Sequence, residues 1–211
     1  IHFAGALENN EDTGTLQYLA STAMEAGFST RVLDMQALDL QNGRFFDPAG
    51  ELVNRCFKLY PWEWMVDESP DGCLAEMEWL EPIWKLVMSN KAILATLYEL
   101  FPDSPYVLPC YLSRPRSGLF CKKPVFSREG HNVSVVDIRD WEEYVRIAET
   151  EGDYNTGAYV YQEYVEPTAY SGRYPVIGSW IIGGEAAGIG IRENRMEVTD
   201  NLSEFVPHII G

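Results

Sequence analysis

The residues whose types and spacing best suit chemistry lie in the stretch Lys122-Lys123-Pro124-Val125-Phe126-Ser127-Arg128-Glu129-Gly130-His131-Asn132-Val133-Ser134-Val135-Val136. Two β-rich runs flank a short polar loop with Gly130 near its middle, and a lysine pair stands on the first run. Backbone N–H groups of a glycine-containing turn can point at an anion, and a lysine on a rigid strand adds a fixed positive charge. The pattern suits a flap over phosphates. Most hairpins with polar loops bind nothing, so the pattern gains weight only from what other segments supply.

Three further segments offer what a nucleotide site needs. In Ser89-Asn90-Lys91-Ala92-Ile93-Leu94, Ser89 or Asn90 is a good N-cap, which puts Lys91 in the first turn of a helix. A cation there opposes the helix dipole unless an anion compensates it, and a phosphate would be held by the free N–H groups and the lysine together. The ordinary alternative is a solvated lysine. In Tyr159-Val160-Tyr161-Gln162-Glu163-Tyr164-Val165, a strand can wall a purine ring while Gln162 and Glu163 reach an amino group or ribose hydroxyls; the alternative is a plain strand with solvent-facing polar residues. In Gly188-Ile189-Gly190-Ile191-Arg192-Glu193-Asn194, glycines permit close backbone approach by a ligand. Arg192 is suited to bidentate contact with a phosphorylated intermediate, and Glu193 and Asn194 are oxygen donors of the kind Mg²⁺ takes. A hairpin with a surface ion pair explains that segment equally well. Ser127, His131 and Asp137 have the residue types of a hydrolase triad, but they crowd one hairpin and lack a nucleophile elbow. The aromatic run around Trp62 reads as core or interface before it reads as a stacking surface.

These residues need elements to hold them. Residues 1–6 read as a buried strand, 15–26 as a helix with Leu16, Leu19, Ala20 and Ala23 on one face closed by Gly27, and 30–35 as a second strand. This β-α-β unit has no G-x-G-x-x-G turn, and its loop Glu8-Asn9-Asn10-Glu11-Asp12 is too acidic to cradle phosphate. Asp47-Pro48-Ala49-Gly50 marks a turn between short strands over 45–52. A helical region is expected over 74–88, broken at Pro82, and a second over 90–101, stopped by Pro102 and Pro105. The hairpin spans 120–136. Residues 140–149 read as a helix with Trp141, Tyr144, Val145 and Ala148 on one face, and 158–165 as a strand. Residues 175–182, the turn Gly183-Gly184 and 186–192 form a tight hairpin, with 196–199 as a third strand. The fold class is α/β of the mixed α+β kind.

A chain of 211 residues with 46% hydrophobic content buries a real core. Its formal charge of −16 argues against a nucleic-acid or acidic-membrane surface, since phosphate backbones need clustered Lys and Arg. Four dispersed cysteines and three histidines give neither zinc-ligand spacing nor a disulfide framework, which points to reduced thiols in a cytoplasmic protein. No apolar run approaches membrane-spanning length. Ile1 follows no initiator Met or signal-like leader, so the chain reads as the interior of something longer. A non-catalytic nucleotide-binding module and an acidic, aromatic-rich carbohydrate- or protein-interaction domain are the alternatives to an enzyme.

With these segments in view, the chain resembles the carboxy-terminal, ATP-grasp part of the glutathionylspermidine synthase-like family, and within it the stand-alone acid–amine ligases that lack an amidase domain. The matching runs are Phe57-Lys58-Leu59-Tyr60-Pro61-Trp62-Glu63-Trp64, Glu81-Pro82-Ile83-Trp84-Lys85, the Ser89 to Leu94 segment, Lys123 to Gly130, Gly178-Ser179-Trp180, Ala187 to Glu193, and Pro207-His208-Ile209. The resemblance implies a partial pre-ATP-grasp β-α-β region over 1–57. It implies an ATP-grasp region over 58–211, with a helical connection at 74–101, a lid hairpin at 119–165 and carboxy-terminal strands at 166–211. It implies an ATP- and Mg²⁺-dependent ligase that joins a small carboxylic acid to an amine through an acyl phosphate, a glutathione-like peptide and a polyamine being one substrate pair. Carried over by motif, Lys91 and Lys123 would contact the ATP phosphates, with Gly130 in the loop over them between Ser127 and Asn132. Gln162, Glu163 and Val198 would border adenine and ribose, and Arg192 would face the acyl phosphate. The family's Mg²⁺ ligands correspond to a segment upstream of Ile1, so the resemblance also implies that these 211 residues by themselves have little or no activity.

Overall fold

A computed structural model describes residues 1–140, 143–154, 157–198 and 203–209. The chain divides into two compact units, Ile1–Met88 and Ser89–Gly211. The division expected at 57/58 falls inside a strand of the first unit.

The first unit is built on β1 (His2–Gly5), α1 (Asn10–Glu25) and β2 (Arg31–Asp34), followed by the short meander β3 (Asp39–Gln41), β4 (Arg44–Phe46) and β5 (Leu52–Val53). Then come β6 (Arg55–Leu59), α2 (Trp62–Glu68), α3 (Pro70–Cys73), β7 (Glu78–Leu80) and the helical turn α4 (Leu86–Ser89). Strands β2, β1, β6 and β7 form a four-stranded sheet in that order, parallel throughout. Helix α1 starts earlier than its apolar spacing predicts, because the Asn9 side chain accepts from the Glu11 N–H at 2.9 Å and Glu11 and Asp12 suit the positive end of the dipole. It ends where Gly27 takes φ 90°, with Gly27 N–H bonded to Met24 O and Phe28 N–H to Ala23 O. Pleat alternation turns Phe3 toward Leu16 and Ala20 of α1 and Ala4 toward the other face. Leu16 is fully buried, worth roughly 2 kcal/mol of transfer free energy. A Cβ on Gly5 would stand 2.9 Å from Leu16 Cδ1, so the helix packs this closely only over glycine.

The opposite face holds Leu33, Phe45, Val53, Cys56, Trp62, Met65 and Trp79. Of the aromatic run, Trp62 is core, buried with its ring 5.5 Å from that of Trp79, whereas Trp64 is exposed. Lys58 is buried beside it, its Nζ donating to Tyr60 O at 2.6 Å and lying 3.9 Å from the Trp62 ring centroid. All four cysteines are free, and burial pushes the Cys56 thiol up to about 12.

The second unit begins with α5 (Ala92–Leu100) and continues through β8 (Cys110–Tyr111), β9 (Gly118–Pro124), β10 (Ser134–Ile138), β11 (Tyr144–Glu149), β12 (Tyr159–Glu163), β13 (Tyr174–Ile182), β14 (Glu185–Asn194) and β15 (Glu204–Val206). One sheet has the order β11-β10-β9-β12-β8 and pairs antiparallel throughout; the other is β13-β14-β15. Helix α5 packs Ala95 against Cys110, Val125 and Val160 on one face of the larger sheet. Among the described residues no helix is long and apolar enough to cross a membrane.

The hairpins over 120–136 and 175–192 are strands as expected. Three expectations fail. The helix expected from residue 74 gives way to β7, because the open edge of β6 takes a parallel partner and Trp79 fills the core. The helix expected over 140–149 is strand β11, whose Tyr144, Val145 and Ile147 suit a strand and whose pairing covers the edge of β10. Trp141 lies outside the described residues. The third strand expected over 196–199 is a turn up to Val198, since Asn194 Oδ1 accepts from the Arg195 and Met196 N–H groups, and β15 takes the edge instead; Thr199 lies outside the described residues.

Asp47 anchors the meander. Its carboxylate accepts from the Glu51 and Ala49 backbone N–H groups at 2.9 and 3.0 Å and from Arg31, and it faces His2 Nε2 at 3.4 Å. The Glu51 N–H, then Arg31 and His2, hold its carboxyl down at about 2 against the opposing effect of burial. A depressed folded-state pKa contributes stability above the unfolded carboxyl value of roughly 3.9, and that contribution is lost as the pH falls toward 2. The thermal midpoint of the first unit is therefore expected to drop as the pH falls through this window. In Asp47→Asn the dependence flattens and the midpoint at pH 7 is lower, as calorimetry across pH would register.

Candidate functional site

The β9–β10 hairpin, the amino-terminal end of α5 and β12 meet on one face of the larger sheet. Along β9 the side chains alternate, so Lys123 and Val125 share the face on which α5 packs while Lys122 takes the other, its Nζ 4.1 Å from the Tyr159 ring centroid. Lys91 immediately precedes α5, whose Ala92 N–H is capped by Asn90 Oδ1 at 2.8 Å. The Lys91 backbone N–H donates to Val125 O at 2.9 Å, fastening the helix to the hairpin. Its Nζ donates to Ser127 O and, at 2.8 Å, to Ser127 Oγ. Lys123 Nζ donates to Gln162 Oε1 at 2.7 Å. Burial raises the thiols of Cys110 and Cys121, and Lys123 pulls both back down, which places its charge near both strands flanking β12.

The hairpin loop is shaped by a tight turn. Glu129 and Gly130 have φ of 56° and 73°, and the His131 N–H closes onto Arg128 O at 2.8 Å. Asn132, at φ 54°, points Oδ1 at the Tyr154 N–H at 2.7 Å, so this candidate shapes the loop. Glu163 ends β12 exposed, and alternation sends its side chain to the face opposite Gln162; its N–H donates to Pro109 O at 2.8 Å. Tyr164 turns back to the Lys123 face and donates to Glu197 Oε2 at 2.6 Å, joining the end of β12 to the turn containing Val198. The Glu197 carboxylate raises the Tyr164 phenol. Val198 O accepts from Asn194 Nδ2 at 3.3 Å.

Arg192 belongs to the β13-β14-β15 sheet and not to the sheet that carries Lys123. It sits half-buried on β14, its guanidinium carbon 5.9 Å from the Phe205 ring centroid. Glu193 lies 3.9 Å from Arg173, and Asn194 serves the 194–198 turn. Among the described residues no group of three His, Cys, Asp or Glu side chains is arranged to hold a metal ion. A cavity of about 470 Å³ lies between α5 and β8, but neither lysine lines it. Sequence reasoning missed Tyr164, Glu197 and Thr150; their bonds join residues far apart in the chain, and only the neighbouring Gln162-Glu163 pair hinted at the first.

The family described as glutathionylspermidine synthase pre-ATP-grasp matches residues 1–211. The chain belongs to this family. A Haemophilus influenzae protein provisionally named as an acid–amine ligase is 36% identical over 207 residues, covering 94% of this chain and 53% of that protein. Trypanothione synthetase of Crithidia fasciculata is 35% identical over 130 residues, 60% of this chain and 19% of its own. The bifunctional glutathionylspermidine synthetase/amidase of Escherichia coli is 26% identical over 232 residues, 95% of this chain and 36% of its own. The chain thus spans about half the length, or less, of these curated relatives. Of the runs quoted above, Phe57 to Trp64 contributes Trp62 to the core, and Ser89 to Leu94 with Lys123 to Gly130 carries the two lysines.

Removing the hydroxyl that ties β12 to the 194–198 turn should loosen that turn. Tyr164→Phe is expected to cost about 1 kcal/mol of stability and to speed amide exchange at 195–198, measured by hydrogen–deuterium exchange.

Proposed function

We propose that the second unit carries the nucleotide site of an ATP-grasp ligase and that the protein joins a small carboxylic acid to an amine. The observation that supports this most is the placing of Lys91 and Lys123 on one sheet face with the Ser127–Gly130 loop fastened to Lys91. Such a face suits a polyphosphate: two cations fixed by a helix end and a strand, and a glycine turn whose N–H groups can approach oxygens closely. Gln162 and Val198 would border the base and ribose, Glu163 contributing through its backbone because its side chain faces away. ATP would supply the phosphoryl group: a carboxylate oxygen attacks the γ-phosphorus and ADP leaves, then the amine attacks the acyl carbon and phosphate leaves. Arg192 would face the acyl phosphate. Among the described residues no three His, Cys, Asp or Glu side chains are grouped to hold a metal ion, so a Mg²⁺ ion here would take its ligands from the nucleotide phosphates, water and at most one or two side chains.

The relatives' names extend the proposal to a glutathione-like peptide as the acid and a polyamine as the amine. An acidic chain of net charge −16 favours approach of a polycation. Four free cysteines suit a reducing, cytoplasmic setting.

Calorimetric titration of ATP tests the site directly. Lys123→Ala and Lys91→Ala should each weaken binding by roughly tenfold or more, the loss of one charge-assisted contact. Equal affinity in both variants and the unaltered protein would remove the lysine face as the nucleotide site.

A further inference from the structure

The tight turn at Glu129 and Gly130 is not the loop's sole support. Residues 127–133 are clasped from outside by the segment that follows β11. Thr150 Oγ1 donates to Gly130 O and accepts from the Val133 N–H at 2.9 Å, while the Thr150 N–H donates to Val133 O at 2.9 Å. One hydroxyl thus fixes both the carbonyl of the turn glycine and the first amide after the loop. Two residues on, Gly152 lies so close that a Cβ there would stand 2.5 Å from His131 Cβ and 2.8 Å from Asn132 Oδ1. Next, the Tyr154 N–H donates to Asn132 Oδ1, and the Tyr154 ring lies 6.0 Å from that of His131. Every residue from Gly130 to Val133 therefore meets a partner in 150–154, whereas Ser127 meets Lys91.

We propose that Thr150, assisted by Gly152, is a positioning residue that sets the loop's conformation for the nucleotide phosphates. The loop has two anchors: Lys91 grips its first residue and Thr150 its far half, leaving Arg128 and Glu129 exposed at the tip. A loop pinned at both ends presents its amides in a fixed array, and fixing it before the ligand arrives lowers the ordering cost of binding. The hydroxyl is the working part, since a residue of equal shape without it keeps the packing and loses both side-chain bonds. The functional half of this inference rests on the nucleotide reading above; the structural half does not.

Two readouts separate them. Tryptic cleavage after Arg128, identified by fragment mass, reports restraint of the loop without nucleotide; ATP titration reports its use. Thr150→Val should be cleaved roughly tenfold faster and bind ATP roughly tenfold more weakly, Thr150→Ser should restore both, and Gly152→Ala should resemble Thr150→Val. Unchanged cleavage in both Thr150→Val and Gly152→Ala would overturn the clasp. Faster cleavage with unaltered ATP affinity, in a protein whose Lys123→Ala variant still loses ATP, would overturn the positioning role and leave the nucleotide site standing. Unaltered affinity in Lys123→Ala as well would instead remove the nucleotide reading and with it the role assigned to Thr150.

Discussion

Pleat alternation on β9 decides what the second unit can present. Lys122 and Lys123 are neighbours in the chain, yet the strand sends them to opposite faces, one onto the Tyr159 ring and the other to Gln162 beside α5. The arrangement depends on register. Strand β10 pairs Ser134 with Lys122, and β12 pairs Tyr161 with Lys122 and Val160 with Lys123. A slip of one residue would exchange the two cations and turn Val125 and Val160 away from α5. Burial of Val160, Val125 and Ala95 at under a tenth exposure is what forbids the slip, so apolar packing under the helix also sets where positive charge appears.

The electrostatics of the chain sharpen that point. In a chain with 32 acidic against 16 basic residues, several cations are engaged by carboxylates: Arg31 with Asp47 and Glu51, Arg44 with Glu76, Arg55 with Glu78, Arg146 with Glu149, and Arg173 with Glu204. The hydrogen bonds described for Lys91 and Lys123 go instead to neutral oxygens of Ser127 and Gln162. A neutral partner such as Gln162 orients the Lys123 ammonium group without cancelling its charge. The same contrast sets the first unit's meander apart, where Arg31 and two backbone amides stabilise a carboxylate in a structural role.

What the sequence made legible follows the range of the forces involved. The Gly183-Gly184 hairpin and the helix closed by Gly27 were readable because turn chemistry and apolar spacing act within a few residues. The Lys123-to-Gly130 segment was readable as a hairpin for the same reason. Strands β7 and β11 were not, since each takes its conformation from an edge that another strand leaves open, and Trp79 and Tyr144 carry no local mark of it. Helical spacing of Tyr144, Val145 and Ala148 competed with β propensity and lost to pairing. Lys91 and Lys123 stood out by residue type; the clasp by Thr150 did not, because a threonine hydroxyl bonded 20 residues back looks like any other threonine in the chain.

The β13–β14 ribbon differs in kind from the sheet beside it. Ile177, Trp180, Ile181 and Ile182 are each about two-thirds exposed, at 64 to 66%, and the pairing shifts register between Trp180 and Ile181. The half of the ribbon next to its turn is exposed on both strands and is held by its backbone ladder more than by a core, so little hydrophobic free energy opposes its bending or fraying. Mechanically the second unit joins a stiff plate to a compliant blade. The plate carries the two lysines, and the blade carries Arg192 at its half-buried root, where β15 pairs beside it, so the compliant part is the tip beyond.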